Sequence, residues 1–204
     1  QVARDLFLLE YTGGKLHIPT ISTATSVNLI KEAKKKKLDV TCSVAIHNLY
    51  FSDAVLTDFD THYKVLPPLR IQSDIDALID AVKDGTIDMV TTDHNPIDVE
   101  EKKIEFDHAN YGAIGLESAF GALQTILTTK KTLDVLTKGK ARFGVETSPI
   151  AVGNTANIAL FNPDTKYTFS KTDIVSKSKN AIFENESLKG NVYGIIANNQ
   201  AVLK

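Results

Sequence analysis

Ile87-Asp88-Met89-Val90-Thr91-Thr92-Asp93-His94-Asn95-Pro96 is the stretch that decides the fold. Its first half is a short apolar run, and Asp84-Gly85 ends an amphipathic helix just before it. Strands that alternate with helices in this way imply a parallel sheet with crossover helices. The run closes on an acidic residue, Asp93, which such a sheet would set at its C-terminal mouth, where barrel enzymes build their active sites. A carboxylate there can ligate a metal and act as general base on a metal-bound water. The same residue type is also common after strands as a simple helix cap or turn former.

Outward from this run the alternation repeats. Residues 16–21 read as a strand ending in Ser22-Thr23, and a helix follows from about Ser26 to Lys37 with Val27, Leu29, Ile30 and Ala33 on its apolar face. Residues 39–44 form the next strand. Ser73 is placed to cap a helix over 74–83 that buries Ile75, Leu78, Ile79 and Val82, and 117–127 is a further amphipathic helix. A closed (β/α)₈ barrel needs about 250 residues and eight such units. The three units read here correspond to its last third. From about Asn154 the pattern changes: 155–161, 167–169, 194–197 and 200–203 read as antiparallel strands, the last two joined by the turn Asn198-Asn199.

The 204 residues are 43% hydrophobic and 24% charged, enough to build a core without disulfides, and the single cysteine, Cys42, points to a reducing, cytoplasmic setting. A net charge of -2 leaves no basic excess for a nucleic-acid partner. The run Lys34-Lys35-Lys36-Lys37 reads as a solvated helix end whose cations complement the helix dipole. No apolar stretch approaches the roughly 20 residues of a membrane span, and no signal-peptide pattern is present. The chain opens on Gln1 and its sole methionine is Met89, so it reads as a piece of a longer protein.

Several segments are similar, in collinear order, to those of the dihydroorotase family. They are Tyr11-Thr12-Gly13-Gly14-Lys15-Leu16-His17-Ile18, the run from Phe59 through Leu66-Pro67-Pro68-Leu69-Arg70, and Asp84-Gly85-Thr86-Ile87-Asp88-Met89-Val90-Thr91-Thr92-Asp93-His94. Glu100-Glu101-Lys102, Tyr111-Gly112-Ala113-Ile114-Gly115-Leu116-Glu117-Ser118 and Ser176-Lys177-Ser178-Lys179-Asn180 complete the match. The resemblance implies an α/β fold. Residues 1–145 would be the C-terminal part of a (β/α)₈ TIM-type metal-dependent hydrolase barrel, and 146–204 part of a small β-sandwich-like domain. It also implies zinc as cofactor and hydrolysis or formation of the cyclic amide of dihydroorotate, with carbamoyl aspartate as the open form, in pyrimidine biosynthesis. A homodimer is a further family expectation.

On the matched positions, the resemblance makes Asp93 the catalytic aspartate and a metal ligand, and Tyr111 and Gly112 the loop whose backbone contacts substrate. Elsewhere the chain departs from the pattern. Thr20 stands where a zinc-ligating histidine is expected, Leu66 and Ile97 stand where an asparagine and a histidine contact substrate, and Asn95 replaces an alanine. A threonine hydroxyl is a poor zinc ligand beside an imidazole. Leu66 and Ile97 offer no hydrogen bond, and a buried polar group left unpaired costs about 1–3 kcal/mol. No other histidine is an evident replacement. His17, three residues before Thr20, should point to the opposite face of its strand; His47 matches a segment that is not usually ligating; His62 and His108 fall in loops; His94 reads as structural or as a supporting partner of the site. Zinc is therefore in doubt for this chain, and the family's His-x-His-x-Arg motif, bridging residue and further histidine all belong upstream of Gln1. The reading is a dihydroorotase-like cyclic amidohydrolase with a degraded site. The alternative is a non-catalytic homologue serving as a structural partner, for example of aspartate transcarbamoylase.

Overall fold

In the computed structural model, which describes residues 1–147 and 149–203, three short parallel strands stand side by side in the order β1 (Leu16–Ile18), β2 (Val40–Ala45), β3 (Met89–Thr91). β2 is central, pairing Ile18 with its own Cys42 on one side and Met89 with Ser43 on the other. Cys42, Val44 and Ala45 have no solvent exposure, as expected for a strand covered on both faces. The observed architecture is thus mixed α/β with a parallel sheet.

The helices follow from local signals. α1 (Val2–Thr12), which the sequence reading did not assign, buries Leu6 and Leu9 and packs on α2 (Ala24–Lys35). Thr23 caps α2, its hydroxyl accepting from the Ser26 N–H at 3.2 Å. α3 (His47–Tyr50) is a single turn directly after β2. α4 (Gln72–Asp84) starts before the expected cap Ser73 and has no side-chain cap; instead the Asp74 carboxylate accepts from the Ala24 N–H at 2.8 Å and ties α4 to α2. It stops at Gly85, left-handed at φ 87°, as Asp84-Gly85 predicts. α5 (Val99–Lys102), α6 (Ala119–Ile126) and α7 (Thr129–Thr137) complete the helices.

A basic run expected to be only solvated does more. Lys34 bonds both oxygens of Asp88 at 2.8 Å and the Thr86 carbonyl at 2.8 Å, and Asp88 also accepts from the Cys42 N–H at 2.8 Å. The end of α2 is thereby fastened beneath β2 and β3.

A second sheet is antiparallel, in the order β4 (Ile158–Thr168), β5 (Ser187–Ala197), β6 (Gln200–Leu203). β4 does not stop at Asn162-Pro163-Asp164 as the sequence suggests. A register shift between Asn162 and Lys166 carries Pro163 through as a bulge, where its missing N–H breaks no ladder bond. Asn198 and Asn199 do form the turn, both left-handed at φ 51° and 57°. α6 lies against this sheet: Phe120 meets Phe161 edge-on at 4.8 Å, and Gly121 lets the Tyr167 hydroxyl approach to where a Cβ would sit at 2.4 Å. Phe169, Phe183 and Leu188 belong to the same buried cluster as Val44, Ile46 and Leu49, so one core runs beneath both sheets. Burying each such side chain contributes about 1.5–3 kcal/mol.

A candidate active site at the ends of the parallel strands

Two residues just past the strand ends adopt backbone angles that L-residues avoid. Thr20 follows β1 at φ 45° and Asp93 follows β3 at φ 46°. Such conformations cost on the order of 1–3 kcal/mol and gather at functional sites. Hydroxyls hold both: the Thr20 N–H donates to Ser43 Oγ of the neighbouring β2 at 3.2 Å, and the Asp93 N–H to Thr91 Oγ1 at the end of its own strand at 3.1 Å. Together with His17, Ser43 and Phe143 they line one cavity of about 570 Å³. The expectation that His17 and Thr20 lie on opposite faces fails, because β1 ends at Ile18 and the left-handed turn at Thr20 breaks the alternation. His17 is occupied nonetheless, 3.0 Å from Thr41 Oγ1 and edge-on to Phe143.

Strand register brings Asp93 a companion that the sequence reading passed over. Ala45 pairs with Thr91, so the residues two positions further on, His47 and Asp93, come alongside one another. The Ile46 N–H donates to the Thr91 carbonyl at 3.0 Å and locks this offset. His47 Nε2 stands 3.8 Å from Asp93 Oδ2, too far for a hydrogen bond, and it has no hydrogen-bond partner among the described residues. The imidazole is only 2% exposed, and burial pulls its pKa down to about 4, so it is neutral near pH 7. Burial also raises the pKa of the Asp93 carboxyl.

An unpartnered buried nitrogen aimed at a carboxylate is the arrangement by which a cation can be tested. Zinc bound by one imidazole and one carboxylate at tetrahedral angles sets the two donors about 3.4 Å apart. The observed 3.8 Å is close to this, and both donor types suit the ion. Yet no group of three His, Cys, Asp or Glu side chains converges among the described residues. The chain contributes a fitting pair of donors rather than a closed site.

The loop after β3 is braced from several sides. His94 Nδ1 accepts the Gly115 and Leu116 N–H groups at 3.2 and 3.3 Å, so its ring braces the start of the next helix. Gly112 sits at φ 136°, and a Cβ there would lie 2.4 Å from the Asn95 side-chain nitrogen. That nitrogen donates to the Tyr111 carbonyl at 3.2 Å, while Asn180 Nδ2 donates to the Gly112 carbonyl at 3.1 Å. The residue that departs from the family pattern at position 95 thus anchors the loop. Tyr111 itself is half exposed. Leu66 is largely exposed, and Ile97 uses its backbone, its carbonyl accepting from Ser178 Oγ at 2.6 Å. His62 pairs with Asp60 and His108 lies near Asp107, both at the surface.

Similarity to known proteins extends over nearly the whole chain. Residues 4–202 match the amidohydrolase family, and the chain belongs to it. Among specific relatives, a dihydroorotase of Caldanaerobacter subterraneus subsp. tengcongensis is 40% identical over 205 residues, covering 98% of this chain and 48% of that protein. The chain therefore spans about half the length of the curated relatives it matches. In three dimensions an L-hydantoinase (dihydropyrimidinase) from Arthrobacter aurescens superposes with a TM-score of 0.91 at 22% identity, over all of this chain and 48% of the other. The inactive dihydroorotase-like domain of a Chaetomium thermophilum CAD-like multifunctional protein superposes at 0.72 with 20% identity, over all of this chain and 57% of that one.

Proposed function

We propose that this chain is the C-terminal part of a dihydroorotase-like cyclic amidohydrolase. Residues 1–145 would form the last strands and helices of a (β/α)₈ barrel, and 146–204 part of a small β-domain. The observation that carries the reading is Asp93, held in a left-handed conformation at the end of a parallel strand, on a cavity wall, with the unpartnered His47 nitrogen facing its carboxylate. Relatives named dihydroorotase at 35–41% identity support the substrate class, dihydroorotate and its open form carbamoyl aspartate.

Hydrolysis of the ring adds water to the amide carbonyl carbon and breaks its bond to the ring nitrogen. Asp93 is the group placed to accept the proton of the attacking water and return it to the departing nitrogen. The raised pKa that burial gives it improves the carboxylate as a base. In this reading Tyr111 and Gly112 form the loop that meets the substrate's polar edge. When zinc is bound, it supplies Lewis-acid polarisation of the carbonyl, and Asp93 with His47 would hold it from this chain. A cytoplasmic homodimer belongs to the same reading. No helix among the described residues is long and apolar enough to cross a membrane.

The test is ring opening of dihydroorotate, dihydrouracil and hydantoin by the protein in its full natural length. Preference for dihydroorotate is the expected result. Preference for either of the others would move the substrate to a different cyclic amide. No turnover of any of them by well-folded protein would leave the non-catalytic partner reading, including one toward aspartate transcarbamoylase.

A further inference from the structure

Two buried lysines bind the loop that leads to Tyr111 and Gly112, and among the described residues every hydrogen bond of their ammonium groups goes to a backbone carbonyl. Lys64, 7% exposed, donates to the Phe106 carbonyl at 2.6 Å and the Asp107 carbonyl at 2.9 Å. Its ammonium also lies over the Tyr111 ring, 4.8 Å from the centroid, and over Phe106 at 5.4 Å. Lys102, 3% exposed, donates to the Asn110 carbonyl at 2.9 Å and the Lys64 carbonyl at 3.4 Å. That same Lys64 carbonyl accepts the Gly112 N–H at 2.9 Å. Residues 106, 107, 110, 111 and 112 are thus all contacted by one or other lysine or by the Lys64 carbonyl. Lysine is among the residues least often fully buried without an ionic partner, so two cations spent on one loop's carbonyls call for a reason beyond packing.

We propose that Lys64 and Lys102 are positioning residues for substrate, clamping the 106–112 loop so that Tyr111 and Gly112 keep the loop shape that meets substrate beside the strand carrying Asp93. The inference rests on the dihydroorotase-like reading for the identity of the substrate, but the clamp itself is a property of the fold. Neither lysine touches Asp93 or the cavity beside it. Their loss therefore acts on substrate capture, through the loop, and leaves the catalytic group in place. Lys64 also fixes the Tyr111 ring through its charge, which makes its cation, and not merely its length, the active feature.

The experiment compares wild type, Lys64→Met, Lys102→Met and Lys64→Arg in the full-length protein. Hydrogen exchange at residues 106–112 reads the clamp, and steady-state kinetics on dihydroorotate reads its use. Each methionine variant is expected to lose at least tenfold protection across 106–112 with β2 unchanged. The KM is expected to rise tenfold or more with kcat within about threefold, and Lys64→Arg to recover much of both. Unchanged protection, or kcat falling while KM holds, overturns the proposal. Should one methionine variant fail to fold, the other carries the same test. If the wild type has no turnover, the dihydroorotase-like reading fails on its own. Calorimetric binding of dihydroorotate then judges the lysines: weaker binding by the variants sustains positioning, and equal or no binding overturns it.

Discussion

His47 Nε2 faces Asp93 Oδ2 across 3.8 Å from a position that solvent does not reach. The distance is set by strand pairing. Ala45 and Thr91 are partners in the parallel ladder, and an equal step of two residues from each brings an imidazole beside a carboxylate. A nitrogen left unpaired in this way lowers stability by about 1–3 kcal/mol, a penalty that a ligand shared with Asp93 would remove.

Substitution of His47 separates these roles. His47→Leu nearly conserves volume and removes the unpaired nitrogen, so folding stability should hold or rise by about 1 kcal/mol. Zinc retained per chain, read by elemental analysis after dialysis, should fall at least tenfold. Loss of several kcal/mol in a denaturant titration with zinc unchanged would show that His47 is only a core residue.

Thr20 invites the opposite change. A β-branched residue at φ 45° is strained, whereas histidine is one of the side chains that tolerate this region. Thr20→His should therefore be neutral or stabilising by up to about 1 kcal/mol, and it places an imidazole on the cavity wall that Asp93 shares. Tighter zinc binding in a competition titration is the expected result. Unchanged affinity would mean the strand end does not aim at Asp93.

Gly112→Ala tests the substrate loop. Its Cβ would meet the Asn95 side chain at 2.4 Å, at a φ of 136° that L-residues rarely adopt. Thermal or urea unfolding should show a loss of about 1–3 kcal/mol, accompanied by a higher KM. A silent substitution would mean the loop relaxes freely and is not held as described.

The legible part of the fold was the part written in short-range pattern. Residues 39–44 and 87–92 read as buried strands because most of them are apolar or β-branched, the observed strands being Val40–Ala45 and Met89–Thr91, and Gly85 marked its helix end. Pro163 misled, since a proline that usually ends a strand is absorbed here by a register shift. The Asp93 site was legible as a carboxylate after a strand. Its neighbour was not, because the approach of His47 depends on which residue of β2 pairs with Thr91, and register is a tertiary property. Likewise nothing local announces that Lys64 and Lys102 share one loop: Lys64 sits between the apolar Tyr63 and Val65, but Lys102 lies in the charged run Glu100-Glu101-Lys102-Lys103 and reads as solvated.

Lys102 also predicts a pH dependence. Burial first, and then the charge of Lys64, lower its pKa from 10.5 to about 8, with Asp60 opposing. Between about pH 8 and 10.5 the unfolded chain holds a proton that the folded chain has released. Stability relative to Lys102→Met should therefore rise with pH across that window, by at most about 3 kcal/mol, and be flat below it. Cys42, which burial pushes up to about 12, acts in the opposite sense at high pH but is common to both proteins and cancels. Paired urea titrations from pH 7 to 10.5 provide the check; a difference independent of pH would mean Lys102 titrates as an ordinary surface lysine.

The most direct measurement is dihydroorotate ring opening by the full-length protein against its Asp93→Asn variant, both shown to be folded by the same unfolding curve. Asparagine preserves shape and tolerates the left-handed backbone at this position but cannot take a proton. The account predicts that turnover falls by about 10³-fold or more, with substrate binding nearly unchanged. Turnover within tenfold of wild type would contradict it, because the chemistry would then belong to a group other than Asp93.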